Sequence, residues 1–365
     1  MKALVVGGTG PTGPFIVNGL IDRSFETVVL HRGLHEVPFK KEIEHIHVDP
    51  HFTTGVNEAL KGRKFDVVIV TYGRLSVIAE ALLGCTRRVI SIGGTAYATD
   101  PFDRPIGETG PRPVGIKLID KIVATEKKLM ALHEAGTFNV THFRYPNLYG
   151  PRQLAPKEWS VIRRIRDGRR VLPMMEGGLT LESRAYVENA AAAVLLAVDK
   201  PAACSGQIYN VADQHTPSDI VRARTIAQIL GVEVEFASFP RVAGKPAHYW
   251  GRGRDLETGT RGEAPPTAHR LLDVSKMVNE LGYRDPVTFE KAMETTVEWY
   301  LANPLERGGE EERVLGDPFD YEAEDEFIRL QREFVAACEN APFAGVTHAH
   351  SYDHPKVATT KSTAE

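Results

Sequence analysis

Apolar residues in the first 145 positions come in short β-branched runs, each set off by a stretch with helical spacing. "KALVVGG" (2–8) reads as a strand entering a turn, and "PFIVNGLIDRS" (14–24) as the helix after it. Further strands are predicted at "TVVLHR" (27–32), "IEHIHVD" (43–49), "FDVVIVTYG" (65–73), "RRVISIGG" (87–94) and "FNVTHFRY" (138–145). Runs this continuously apolar suit strands buried on both faces of a parallel sheet. Between the last two, "KIVATEKKLMALHEAG" (121–136) sets Ile122, Glu126, Leu129, Met130 and His133 at helical spacing and stops at Gly136. Alternation of strand and helix predicts right-handed crossovers and a doubly wound α/β fold.

The second half has another texture. "EWSVIRRIRDGRRVLP" (158–173) is basic and helical, and "RAYVENAAAAVLLAVDK" (184–200) predicts a strand leading into an alanine-rich helix. Pro- and Gly-rich loops fill about 239–267, and "TFEKAMETTVEWYLAN" (288–303) is a helix ending before Pro304. The division expected is a nucleotide domain over 1–150 and a smaller substrate lobe over 151–303, with segments returning to the sheet. A C-terminal extension over 304–340 and an unstructured tail over 341–365 would follow. Within the extension, "RGGEEER" (307–313) reads as a linker and "DPFDYEAEDEFI" (317–328) as a segment docked on its own domain or a partner.

Composition narrows the class without choosing a function. The 365 residues are 42% hydrophobic and 25% charged with a formal net charge of −4, which offers no field for nucleic acid or an anionic membrane. Cys85, Cys204 and Cys338 are far apart and odd in number, so neither a disulfide framework nor a thiolate zinc site is indicated. No signal segment precedes the first strand and no run is long enough to span a bilayer, so a cytoplasmic protein is expected.

The sharpest local signal is "VGGTGPTGPF" (6–15). Gly7, Gly10 and Gly13 stand between strand and helix. The first permits a tight turn, the second lets backbone approach a pyrophosphate, and the third allows close helix–strand packing, with phosphates at the helix N-terminus. Pro11 and Thr12 complete the loop. The second strand ends in His31 and Arg32 rather than in the acid that would accept from ribose hydroxyls. A guanidinium suits a 2′-phosphate, so NADP is expected, with NAD the alternative. Asp49, at the end of the third strand, is placed for an adenine amino group.

With these residues the chain resembles the extended short-chain dehydrogenase/reductase superfamily, the nucleotide-sugar epimerase and dehydratase relatives, over about residues 1–303. The resemblance rests on the loop, on "FRYPNLYGPR" (143–152), on "SRAYVENAAAAVLLAV" (183–198), on "GQIYNVAD" (206–213) and on the segments over 271–300. It implies a Rossmann sheet, a nicotinamide cofactor, and a serine after the fifth strand with a Tyr-x-x-x-Lys on the next helix. The tyrosine would move a proton at the substrate oxygen while the lysine holds the ribose. This chain departs from that pattern. The serine position falls on Gly93, and no tyrosine occurs between Tyr97 and Tyr145. Lys121 is then expected at the ribose, and Lys117, Thr95 or Tyr97 as proton donor, with Tyr72 and Tyr145 as further phenols. Asn147 and Arg184 are the expected substrate contacts, Arg184 matching an arginine that neutralises substrate phosphate in the family.

The function expected is an NADP-preferring oxidoreductase acting on a carbonyl or alcohol of a small molecule, with an anionic one suggested by the arginines. An epimerase, dehydratase or lyase with transient or no net redox is one alternative, and a nucleotide-binding scaffold or sensor another. A homodimer stays open. Arg163, Arg164, Arg166, Arg169 and Arg170 read either as a solvated helix or as an anion handle. His45, His47, Asp49 and His51 alternate and invite a metal, as do His348, His350, Asp353 and His354, yet no metal site is expected, because the third strand's end belongs to adenine. Trp159, Tyr249 and Trp250 are expected to pack, and Asp320 or Asp325 is a general base by residue type alone.

Overall fold

The computed structural model describes residues 1–71, 73–96, 105–240, 269–342, 344–345 and 351. Tyr72, Tyr97, Tyr249, Trp250 and the four tail residues His348, His350, Asp353 and His354 lie outside them. Seven strands form one sheet: β1 (Lys2–Val6), β2 (Glu26–His31), β3 (Glu44–His47), β4 (Val67–Val70), β5 (Arg88–Gly94), β6 (Asn139–Tyr145) and, from the second half, β10 (Gln207–Asn210). Their order is β10-β6-β5-β4-β1-β2-β3, and every pairing is parallel. This is the Rossmann arrangement, reversing direction between β1 and β4, where ligands bind beyond the strands' carboxyl ends.

Period-two alternation divides the central strands between two cores. Val5, Val29, Ile69, Ile90 and Phe143 face α1 (Gly13–Asp22) and α6 (Val187–Asp199). Leu4, Val28, Val68, Val89 and Val140 face the other layer, made by α2 (Thr53–Leu60), α3 (Leu75–Ala81) and α4 (Lys117–Glu134). Thus α6, from beyond residue 151, packs against α1, and Arg23 ties the two through Asp199 at 2.6 Å.

The lobe has a separate core. It gathers α5 (Lys157–Arg166), α7 (Asp219–Ile229) and α9 (Phe289–Ala302) around Trp159, Ile162, Ile226, Met293 and Tyr300. Two short parallel pairs join it, β7 (Leu148–Tyr149) with β9 (Ala185–Tyr186) and β8 (Val171–Met175) with β11 (Glu235–Phe239). The helix α8 (Ser275–Leu281) returns to the sheet side, where Met277 and Leu281 are buried.

The extension is part of this lobe. Leu315 and Phe319 are buried in its core, and α11 (Tyr321–Glu339) lies along β8 and β11. Arginines of α5 and of the turn after it hold it. Arg164, itself buried, donates to Asp317 at 2.7 and 2.8 Å and to Glu324 at 2.6 and 2.9 Å. Arg163 pairs with Glu312, and Arg169 with Asp325. These three are therefore not an anion handle, because acids of the same chain already neutralise them. Nor is 307–313 a linker: it forms α10 (Glu310–Arg313), whose buried Glu312 accepts from Trp159 Nε1 at 2.9 Å. Asp325 is engaged by Arg169 and Asp320 caps α11 through the Ala323 N–H, so neither stands as a general base. Among the described residues no helix is long and apolar enough to cross a membrane.

Candidate functional site

The glycine loop joins β1 to α1 at the sheet's carboxyl edge. Gly7 takes φ +87° and donates its N–H to the Leu30 carbonyl at 2.9 Å. Two tight turns follow, Gly10 N–H to Gly7 O at 3.2 Å and Gly13 N–H to Gly10 O at 3.1 Å. A Cβ on Gly13 would sit 2.2 Å from the Gly8 carbonyl oxygen, so the close approach is of the loop to itself rather than of helix to strand. A Cβ on Gly10 would meet only the Gly7 oxygen, at 3.6 Å. Among the described residues no neighbour demands glycine there.

Helix α1 begins directly behind the loop. The N-cap residue Thr12 makes no side-chain capping bond, but Gly13 N–H donates to Gly10 O, Pro14 has no N–H and Ile16 N–H donates to Thr12 O, so Phe15 is the first-turn residue whose N–H could meet an anion. Half-buried Pro11 precedes Thr12 and brings no N–H of its own. Thr12 is buried, and the Tyr145 hydroxyl donates to the Ala190 carbonyl at 2.9 Å. Burial raises the Tyr145 phenol, and its commitment to Ala190 removes it from the proton-donor candidates.

Arg32 is exposed just past β2. His31 before it is buried, and burial lowers its pKa although the charge of Glu36 opposes this. β3 stops at His47, so Asp49 and His51 leave the strand and bond each other, His51 Nδ1 lying 2.8 Å from Asp49 Oδ1. The Asp49 carboxyl is held low first by the His51 N–H and then by the His51 ring, and the charge of Arg32 adds to this.

The carboxyl end of β5 carries Gly93, where the resemblance implied a serine. Ser91 and Gly93 share a face with His142 of β6, and Ser91 is the register partner of His142. Ser91 Oγ lies 2.8 Å from His142 Nδ1. A Cβ on Gly93 would stand 2.9 Å from His142 Cε1 and 3.0 Å from Nε2, so the imidazole fills the space a side chain would need. Burial pushes His142 down to about 4, against the pull of Glu126. Its Nε2 makes no hydrogen bond and sits 3.6 Å from Glu126 Oε2. Glu126 is clamped by Arg144 at 2.6 and 2.7 Å. Burial pushes the Glu126 carboxyl up, but the hydrogen bonds and charge of Arg144 outweigh it and the net direction is down. Ser91, His142 and Glu126 stand in the order of a serine–histidine–acid relay, yet Ser91 is wholly buried, so no substrate reaches it.

Helix α4 turns its lysines away. Ile119 and Glu126 point inward, and Ile122 Cδ1 is the atom nearest a Cβ on Gly94, at 3.7 Å. At about 100° per residue, Lys117 and Lys121 fall on the opposite side, where both are exposed. The expectation that Lys121 holds the ribose and Lys117 gives a proton is therefore corrected, since an isoleucine faces the end of β5. Thr95, half-buried just past β5, donates its N–H to the Tyr145 carbonyl at 2.9 Å and keeps a hydroxyl at this edge.

Arg184 is also corrected. It is buried and bound to Glu158, with its guanidinium over the Tyr149 ring, so its charge is spent inside the lobe. Exposed Asn147 donates to Glu182 at 3.1 Å, and Glu182 also takes Lys157. Burial pushes Glu182 up, but the charges of Lys157, Arg184 and Arg270 outweigh it and bring it down to about 2. Neighbouring Asp219 goes the other way, pushed up to about 6 by burial. None of His142, Lys157, Glu158, Glu182 or Asp219 stood out in the sequence. Glu126 offered a signal there, because an acid inside an otherwise apolar helical stripe needs a buried cation.

The NAD dependent epimerase/dehydratase family model matches residues 119–212, starting after β5 and ending after β10. Curated relatives are dTDP-glucose 4,6-dehydratases: that of Neisseria gonorrhoeae is 28% identical over 161 residues, 44% of this chain and 43% of the relative. That of Actinoplanes sp. is 26% identical over 175 residues, 48% of each chain. The chain thus spans about half the length of the curated relatives it matches. Among solved structures, a UDP-galactose 4-epimerase superposes with TM-score 0.64 at 20% identity, covering 84% of this chain and all of its own. The dTDP-glucose 4,6-dehydratase of Bacillus anthracis, solved with NAD, gives TM-score 0.64 at 16% identity over 83% and 97% of the two chains. The UDP-glucose 4-epimerase of Thermotoga maritima, solved with UDP-glucose, gives 0.66 at 18% identity over 83% and 99%. At these identities the structures speak for the fold. Sheet order agrees with these structures, and over residues 119–212 the chain is similar to the NAD dependent epimerase/dehydratase family on a Rossmann fold.

Proposed function

We propose that the protein binds a nicotinamide dinucleotide on the 7–13 loop and uses it on a small molecule, as an epimerase or dehydratase or in net oxidation or reduction. The observation that carries this is Gly10, a glycine that none of the described residues requires, with space left beside it at a helix start whose N-cap makes no side-chain bond. Backbone of Gly7 to Gly13 would hold the pyrophosphate and Arg32 a 2′-phosphate, which favours NADP over NAD. When bound, the nicotinamide supplies a hydride donor or acceptor. With Lys117, Lys121 and Tyr145 turned elsewhere, the Thr95 hydroxyl is the proton-handling group we place at the substrate. Asn147 is the substrate contact left on this edge once Arg184 is committed to Glu158. A second reading, nucleotide binding without turnover, is favoured by Gly93 and Ile122 standing where the family has reactive groups.

Calorimetric titration of NADP⁺, NADPH, NAD⁺ and NADH into protein stripped of nucleotide tests the first step. Gly10→Glu should abolish binding by filling the open space and repelling phosphate, and Arg32→Ala should weaken only the phosphorylated pair. An equal effect of Arg32→Ala on all four rejects the 2′-phosphate assignment. Absorbance of the bound nicotinamide on adding UDP-glucose or dTDP-glucose then separates the readings. A change supports turnover, whereas tight binding with no redox response to these or to a wider carbonyl panel supports the second.

A further inference from the structure

The outer edge of the sheet carries a side-chain cluster that cofactor binding does not use. His45 and His47 project from the same face of β3, and His31 ends β2 as the register partner of His47. The connection after β2 brings Glu36 back over them. His31 Nε2 lies 2.9 Å from His45 Nδ1. Glu36 offers one oxygen 3.3 Å from His47 Nε2 and 3.8 Å from His31 Nε2, and the other 3.4 Å from His45 Nδ1. One donor atom from each residue falls within 4.8 Å of every other. A tetrahedral zinc with bonds of about 2.0–2.2 Å holds its ligand atoms about 3.4 Å apart, which is the middle of this range.

We propose that His31, His45, His47 and Glu36 form a binding site for a divalent transition metal of the zinc class. Three imidazoles and one carboxylate match borderline-soft cations rather than magnesium or calcium, which prefer oxygen. Four protein ligands close a tetrahedron and leave no position for substrate, so the site is structural. It ties the 33–43 connection to β2 and β3 beside Arg32. His31 is 4% exposed and forms the floor, while His47 and Glu36, each 56% exposed, let the ion enter from solvent. Ligation through His31 Nε2 puts that ring's proton on Nδ1. The cost is the 3.3 Å hydrogen bond that Nδ1 accepts from the Gly33 N–H. The alternation of His45, His47, Asp49 and His51 pointed to this edge with half the wrong partners, because β3 ends before Asp49.

The test uses the tag-free full chain, stripped with chelator and titrated with Co(II), whose visible bands intensify on four-coordinate binding. One equivalent should bind with intense bands and be displaced by Zn(II). His47→Ala and Glu36→Gln should each weaken binding at least about tenfold, and His45→Ala/His47→Ala should abolish it. Zn(II) should also slow amide exchange within 33–43 in the wild type and not in the double variant. Circular dichroism of the metal-free variants confirms folding, which substitution of two partly exposed histidines should preserve. Absence of the intense bands overturns the proposal. So does Co(II) binding unchanged in the double variant, which would place the ion elsewhere, such as at the carboxyl-terminal histidines.

Discussion

Alanine at Gly93 tests whether the His142 ring fills the space beside that position. In a strand, replacing glycine by alanine ordinarily stabilises by about 0.5–1 kcal/mol. Here the new methyl would stand 2.9 Å from His142 Cε1 and 3.0 Å from Nε2, well inside contact distance. The ring cannot step aside freely, since Ser91 holds Nδ1 at 2.8 Å and the side chain is almost wholly buried. Overpacking of this kind costs about 1–3 kcal/mol, so the net effect should be a loss of about 1 kcal/mol. In a His142→Ala background the obstacle is gone and the same substitution should become stabilising. The sign reversal corresponds to a coupling of about 1–3 kcal/mol between the two positions. Equilibrium urea unfolding of the four proteins measures it, provided the slopes agree. If Gly93→Ala stabilises the wild type, or adds independently of His142→Ala, the imidazole does not fill that space and the reasoning fails.

Arg164→Met should cost about 3–5 kcal/mol, because it strands Asp317 and Glu324, two wholly buried carboxylates, without their cation. Limited proteolysis should then cut first within 305–340, and adding Asp317→Asn and Glu324→Gln should restore resistance. A pattern of cuts like the wild type's would show that α5 does not hold the extension. Asp219, raised in the fold to about 6, binds a proton more tightly folded than unfolded. Its contribution is therefore complete below its unfolded value and lost as pH rises through about 6, an effect of up to about 3 kcal/mol. Asp219→Asn should remove that fall, and a denaturation-versus-pH profile unchanged by the substitution would contradict it. Glu182 works oppositely, its share present above the ordinary carboxylate range and lost as pH falls toward 2.

Strands β1, β2, β4 and β5 were legible because each is a short, largely apolar run closed by a turn, all properties of neighbouring residues, whereas β10, with the sequence QIYN, carries no such run. The glycine loop was legible for the same reason. The helices α2 and α3 were not, being eight and seven residues long with few apolar positions to set a period. Pairing across the fold was illegible throughout. That Ser91 meets His142 depends on the register of β5 against β6, and that His47 meets His31 on β3 against β2. The arginines of α5 were misread because their acids stand 153 and 160 residues away for Arg164. The α4 lysines were misplaced by matching a motif's residue types without asking which side of the helix Ile119 and Glu126 bury.

The position of β10 bears on how the chain is made. Strands β1 to β6 are complete by Tyr145, but β6 is covered on its outer side only when Gln207 pairs with Thr141. Everything from 146 to 206 must leave the ribosome first, including α6, which shields α1. During that interval β6 presents an unpaired edge with apolar residues on both faces, the kind of surface that recruits other chains. Residues 200–210 thus act as a late seal on the growing sheet, and synthesis that pauses or stops before them leaves the edge of β6 open to aggregation.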